Sequence, residues 1–369
     1  MKSKKIKIGV DVTGLLHANH VTGIERVLVE TNKNLLKFLN PEIYEIHPFS
    51  TLSNIKKTRH THPYLLTDLV SAKPLINFDE CDILFFSGIN LNIPVKELIK
   101  LKVNKGVKIL TMVYDILPLT HPEWFIEPLT GTKNFPERSA KNYFQIYLQA
   151  MFALSNHVIL TSDNVKNEIS KLGWGIKPKI NVLPLGAFNN YVQFSPSVST
   201  GLHTVYVSTV APRKGHEELL AAFDLLWNDG FDVTLTLVGN KGWMIEDLIE
   251  KIETHPMKDK KLFWRQNLLD SQIDEIYKAS EIAFNVSLGE GFGLTLEEGL
   301  NKGLKVIARD IPVFRERNYP NLYFFNGGSQ ELSNTIKEVS VLPLDPIEPH
   351  QIRTMEDFAV DVAQIIKLL

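Results

Sequence analysis

Residues Asn285 to Gly303 read NVSLGEGFGLTLEEGLNKG, and this stretch decides the fold. An apolar run ends, glycines follow at 289, 291 and 293, and a helical pattern starts near Leu294. Glycines at these places permit positive φ and close backbone approach, while a helix start offers N–H groups and a positive dipole end to an anion. No Gly-Lys-Ser/Thr follows, so this is not a Walker loop, and the spacing does not fit the dinucleotide turn GxGxxG. Glu290 and Glu298 lie eight residues apart, one in the loop and one in the helix. They need not share a face, but they can reach different parts of one elongated ligand, and carboxylates suit vicinal sugar hydroxyls.

Outward from this loop, the second half alternates strand and helix patterns: HTVYVSTV, EELLAAFDLLWNDG, VTLTLVGN, KLFWRQN, a helix over Ser271 to Ser280, EIAFNVS, and LKVIAR after the glycine loop. The first half does the same with IKIGVDV, GIERVLVETNKNLLKFL, YEIHPF, DILFFSG, VKILTMVYDI and HVILTS. Strands alternating with helices of this length imply βαβ units and parallel sheets. The polar stretch Asn189 to Gly201 has no apolar period and reads as a linker. The expected class is therefore α/β, with two Rossmann-like doubly wound domains facing a central cleft. Their expected boundaries are 1–190, a linker at 191–200, a second domain at 201–350, and a last helix over 351–369 that crosses back to the first domain.

A chain of 369 residues is too long for one comfortable core, in keeping with two domains. With 40 basic and 42 acidic residues there is no field to draw it to nucleic acid. Cys81 is the only cysteine, which excludes internal disulfides and cysteine-cluster zinc sites. The start MKSKKIKIGVDV reads as a strand rather than a signal peptide, and no apolar stretch approaches the roughly 20 residues that span a bilayer. Cytoplasmic residence is expected. Lys2, Lys4, Lys5 and Lys7 offer a peripheral contact with anionic lipid, beside the plainer reading of a solvated strand start.

The order Glu290, E-G-F-G-L, Glu298 and G-x-x-V-I-A resembles the signature of glycosyltransferase family 4, whose fold is GT-B. That resemblance implies that Glu290 contacts the donor sugar, that Glu298 holds the nucleotide ribose, and that the amides of Gly291, Phe292, Gly293 and Leu294 receive the sugar or its phosphates. Thr295 stands where the family often has proline. In VSTVAPRKGHEELLAAF, Ser208 and Thr209 occupy the positions of the family's Gly-Arg, and Arg213 and Lys214 form a Pro-Arg-Lys variant. The resemblance aims Lys214 at the leaving diphosphate, with Arg213 beside it. Two cations at a helix start are unfavourable unless an anion joins them, which argues against a merely solvated pair. FWRQN, centred on Arg265, lies where the family's nucleotide base meets backbone.

In the first half, VTGIERVLVE resembles the family's glycine loop and first helix, with Gly23 near the donor phosphate or simply in a turn. VYDILPLTHPEWF resembles a segment that often carries His-Asp; here the pair is Tyr114 and Asp115, with His121 six residues on. Asp115 and His121 are expected to bind donor sugar or orient an acceptor hydroxyl, the alternative being loop residues. The resemblance implies retention of configuration, no cofactor and no metal, and the chain lacks a suitable DxD. The expected partners are a nucleotide-diphosphate sugar, GDP-mannose first with UDP- and dTDP-sugars open, and a glycan or lipid-linked glycan in polysaccharide or lipopolysaccharide synthesis. The alternatives are a catalytically silent sugar-nucleotide-binding subunit and a nucleotide-sugar epimerase.

Overall fold

A computed structural model describes residues 4–17, 23–51, 75–91, 93–125, 140–175, 178–188, 201–345 and 352–369. The expected linker at 191–200 lies outside them. By internal contacts the chain forms two compact units, Met1–Pro122 with Pro136–Phe188 and Arg353–Leu369, and Glu123–Phe135 with Asn189–Ile352. Among the described residues, Glu123, Trp124 and Phe125 thus group with the second unit, although sequence alone places them within 1–190. The Trp243 indole N–H donates to the Trp124 carbonyl at 2.6 Å, and its ring lies 6.1 Å from that of Phe125. Such a contact between residues 119 apart leaves no local pattern in the sequence.

The first unit carries β1 (Ile6–Asp11), α1 (Thr13–His17), α2 (Gly23–Phe38), β2 (Tyr44–Phe49), β3 (Ile83–Phe86), α3 (Val95–Lys105) and β4 (Lys108–Val113). It continues with α4 (Leu117–Thr120), α5 (Ala140–Leu154), β5 (His157–Leu160), α6 (Asp163–Ser170) and β6 (Lys179–Val182). All its strand pairs are parallel, in the order β2-β1-β3-β4-β5-β6. The order reverses between β1 and β3, so the loops after these strands open the crevice where such sheets take ligands. Strands β3 and β5 are buried at every position, as expected for a sheet covered on both faces.

The second unit repeats the plan with β7 (Leu202–Val207), α7 (His216–Asn228), β8 (Val233–Val238), α8 (Glu246–Glu253), β9 (Leu262–Arg265) and α9 (Asp270–Lys278). Then come β10 (Ile282–Asn285), α10 (Leu294–Asn301), β11 (Lys305–Arg309), β12 (Leu322–Phe325) and α11 (Ser329–Ser340). Its sheet is also parallel, in the order β12-β11-β10-β7-β8-β9. Here the order reverses between β7 and β10, and the loops after these two strands hold the charged motifs. Phe223 and Phe284 meet edge to face at 5.7 Å within the core that fixes α7 on this sheet.

The last helix, α12 (Met355–Lys367), belongs to the first unit. Its Thr354 cap accepts from the Asp357 amide at 3.2 Å, and Asp357 accepts in return from the Thr354 amide at 2.9 Å. Capping satisfies donors that a helix start would otherwise leave open, contributing about 1 kcal/mol. Phe358, Val362 and Ile366 recur along one buried face, and α12 packs on α2. Full burial of each such side chain contributes about 1.5–3 kcal/mol. Among the described residues, no helix is long and apolar enough to cross a membrane.

Candidate functional site

In the second unit the loops after β7 and β10 are stitched together before any ligand is considered. The Leu288 amide donates to the Arg213 carbonyl at 2.7 Å, and the Arg213 guanidinium donates to the Gly289 carbonyl at 3.0 Å. Buried Tyr206 on β7 donates its hydroxyl to the Lys214 carbonyl at 2.7 Å and lies 3.3 Å from the Ser287 hydroxyl. Gly215 closes the short turn Pro212–Lys214 at φ 70°, with a Cβ there falling 2.4 Å from the Val286 carbonyl oxygen. Only glycine fits both the left-handed backbone and that approach.

This stitching brings Glu290, Arg213 and Lys214 into one cluster. A Glu290 carboxylate oxygen lies 3.0 Å from the Arg213 guanidinium and closer still to the Lys214 ammonium. Burial alone would push the Glu290 carboxyl up, but Arg213 and Lys214 outweigh it and hold it at about 2. Glu290 is therefore ionised at any working pH and has no proton to give as an acid. Two cations against one carboxylate leave the cluster one positive charge in excess, a fit for an anionic ligand.

Gly293 precedes α10 with φ 95°, and a Cβ there would lie 2.5 Å from the Phe314 ring. The glycine thus lets Phe314 press against the helix start, whose dipole end favours negative charge. Asn285 donates its amide to the Thr295 hydroxyl at 3.0 Å, so the threonine in place of the family's proline ties α10 to the end of β10. Glu298, 8% exposed, sits one turn into α10. Its neighbour Glu297 is clamped, accepting from Arg317 at 2.9 Å and from the Tyr319 hydroxyl at 3.2 Å. Arg317 in turn lies 4.0 Å from the centre of the Phe292 ring, which fixes the glycine loop from outside. Ser208 contacts the buried imidazole of His216 at 3.2 Å. Arg265 is exposed at the end of β9, its guanidinium 5.2 Å from the Phe263 ring centre.

Gly23, Asp115 and His121 belong to the first unit. Gly23 opens α2, and residues 18–22 before it lie outside the described residues. Asp115 accepts from the Leu117 amide at 3.0 Å, and His121 ends α4. Burial raises the Glu168 carboxyl, and Asp115 adds to the rise while His121 opposes it. Glu168, which sequence reasoning did not single out, therefore shares their neighbourhood. Tyr114 is buried and donates its hydroxyl to the Ser87 carbonyl at 2.7 Å, a bond that joins the ends of β3 and β4.

A second buried carboxylate escaped the sequence reading. Asp11, at the end of β1, accepts from the Thr13 amide at 2.9 Å, the Thr13 hydroxyl at 2.5 Å and the Asn90 amide at 2.7 Å. Asn90 also reaches the Thr51 hydroxyl at 2.9 Å, so the cluster joins the loops after β1, β2 and β3. Burial raises the Asp11 carboxyl above its ordinary 3.8, opposed by these hydrogen bonds. Thr13 and Thr51, each two places past a strand end, and Asn90, four places past another, would have been the only signal.

Two units, each built on a six-stranded parallel sheet of this topology, the second with a glycine loop, two cations and two acids at its switch point, have the GT-B fold. Residues 189–348 match the family described as "Glycosyl transferases group 1". The serotype-specific mannosyltransferase WbdA of Escherichia coli is 31% identical over 361 residues, covering 90% of this chain and 42% of the relative. The chain thus spans less than half the length of that relative. Among solved structures, Anabaena HepE in complex with UDP-glucose superposes with a TM-score of 0.64 at 17% identity, covering 98% of this chain and 95% of the other. The lipopolysaccharide outer core galactosyltransferase WaaB, in its apo form, gives 0.62 at 17% identity, covering 98% of this chain and all of the other.

Proposed function

We propose that this chain is a retaining glycosyltransferase that moves a sugar from a nucleotide diphosphate to a glycan or lipid-linked glycan in polysaccharide synthesis. The observation that carries this reading is the Glu290, Arg213 and Lys214 cluster beside the glycine-led start of α10, within the stretch that matches the group 1 family. Lys214 and Arg213 would offset the charge gathering on the departing diphosphate, without metal. The α10 start and the 291–294 amides would hold its oxygens or the sugar. Fixed donors aimed at developing charge are worth several kcal/mol of barrier in general. Glu298 would take the ribose, and Arg265 would lie by the base. Gly23, Ser208, Asp115 and His121 would complete the binding of donor and acceptor.

In the reaction, the bond from the anomeric carbon to the diphosphate breaks while a bond to the acceptor oxygen forms on the same face. The acceptor's proton passes to the leaving diphosphate. Glu290, already ionised and engaged with two cations, positions the sugar and steadies the cationic centre rather than acting as an acid. GDP-mannose is the first donor to test, since the relative is named a mannosyltransferase; HepE was captured with UDP-glucose, which makes UDP-sugars the rival. Cytoplasmic work at a membrane face completes the proposal.

The test is a thermal-shift screen of the pure protein against GDP, UDP and dTDP and their sugars, followed by donor hydrolysis and transfer assays. A ligand at about 100 times its Kd stabilises by about 2.7 kcal/mol. The expected result is a response to one base that disappears in Glu298→Ala. A protein that binds a sugar nucleotide yet never turns it over would instead be the silent subunit, and one that isomerises it alone an epimerase.

A further inference from the structure

One guanidinium is bonded to both limbs that carry the charged cluster, wholly within the second unit. Arg309, the last residue of β11, donates from Nε to the Val286 carbonyl at 3.1 Å and from an Nη to the Glu218 carboxylate at 2.5 Å. Val286 follows β10 and leads into the loop that carries Glu290. Glu218 stands in the first turn of α7, which begins one glycine after Arg213 and Lys214. One acceptor therefore belongs to the acid's limb and the other to the cations' limb.

Arg309 is itself held in place. Its guanidinium lies 4.9 Å from the centre of the Phe325 ring on β12, and its side chain is 13% exposed, against 23% for Glu218. The second Glu218 oxygen is buried without a hydrogen-bond partner, as is Nδ1 of His216 at the start of the same helix. Among the described residues, Arg309 is thus the cation that balances Glu218. A buried ion pair adds little net stability over apolar side chains of the same volume, since desolvation offsets the attraction. What it supplies is geometry. A planar guanidinium fork fixes two acceptors at once, which an ammonium on a flexible stem does not. The Val286 carbonyl that Arg309 holds is also the one against which Gly215 packs, so a shift of Val286 passes to the turn that bears Lys214.

We infer that Arg309, through Glu218 and Val286, is a positioning residue for the diphosphate cradle: it sets the span between Glu290 and the two cations, and with it the aim of Lys214 at the departing diphosphate. The inference rests on the donor reading of that cluster. Misplacing a group by about 1 Å can cost about 10²-fold in rate.

The experiment is a mutant cycle. Arg309→Gln and Arg309→Lys are made in the wild-type chain and in Lys214→Ala. Each protein is followed by calorimetry with GDP, UDP and inorganic pyrophosphate, and by steady-state transfer with the best donor, rates being taken per diphosphate-binding site. A free nucleoside diphosphate carries the charge that develops as the sugar leaves, so its affinity reads the aim of Lys214 without turnover. Arg309→Gln should lower kcat by about tenfold or more with the donor KM within about threefold, and weaken diphosphate binding by about fivefold. Arg309→Lys, which reaches one acceptor at a time, should recover part of both. In Lys214→Ala the same Arg309→Gln change should cost less than about twofold, because residues that act through one another are not additive. Equal losses in the two backgrounds, or no loss in the wild-type chain, overturn the inference and make Arg309 a structural residue. Should Arg309→Gln fail to fold, Glu218→Gln, which keeps the shape and one acceptor oxygen, runs the same cycle under the same criteria. A chain that binds none of the three diphosphates has no cradle to position and overturns it too. Diphosphate binding that depends on Arg309 in a chain that transfers no sugar would sink the glycosyltransferase reading alone.

Discussion

Each unit buries a carboxylate by the switch point of its sheet, and the two are held in opposite ways. Glu290, beyond β10, faces two cations and is driven down to about 2. Asp11, at the end of β1, faces only hydroxyls and amides and is driven up. Burial pushes both in the same direction; full opposite charges outweigh it, whereas neutral hydrogen bonds only reduce it. The first arrangement leaves surplus positive charge for an anion. The second ties three loops together through neutral hydrogen bonds.

The comparison breaks most visibly at Lys214. Lys214→Ala should lower the rate of sugar transfer by about 10²–10³, the scale of losing one donor to developing charge. Steady-state kinetics with the best donor from the screen, on protein shown to melt normally, reads this directly. A loss under tenfold would move the role to Arg213.

Asp11→Ala tests the neutral cluster through stability. It leaves the Thr13 amide and the Asn90 amide without their acceptor in a buried site, and urea unfolding should show a loss of about 1–3 kcal/mol. No loss would mean that the three loops hold together without it.

The subtlest contrast is in pH dependence. Glu290 lies below its ordinary 4.5, so its contribution is present above that value and lost as pH falls toward 2. Asp11 lies above its ordinary 3.8, so its contribution is present below that value and lost as pH rises through the raised one. Between pH 3 and 6, the stability gap between wild type and Glu290→Gln should widen with pH, and that to Asp11→Asn should narrow. Melting curves showing parallel slopes would mean that the two environments do not differ as described.

How much of this was legible in the sequence depended on how far apart the partners lie. Glu290, the three glycines and the α10 start sit in one short run, so their grouping could be read directly. Arg213 and Lys214 were legible as a basic pair that wanted an anion, but not as partners of Glu290, 77 and 76 residues away. Glu297 and Glu298 are adjacent and of one type, yet Arg317 and Tyr319 clamp the first. His216 looked like any helix-start residue until its buried, unpartnered nitrogen was seen. Tyr114 looked like a missing histidine and is a buried strut whose hydroxyl reaches across to β3.

The sequence by itself determined the two series of strands and helices, the glycines at the turn into α10, and the stock of acids and cations. These follow from hydrophobic period and backbone sterics, which act over a few neighbouring residues. Only the tertiary structure decided which acid meets which cation and which polar atom is buried without a partner. Electrostatic strength depends on separation in space and on burial, and the packing of parallel sheets sets both between residues that are distant along the chain.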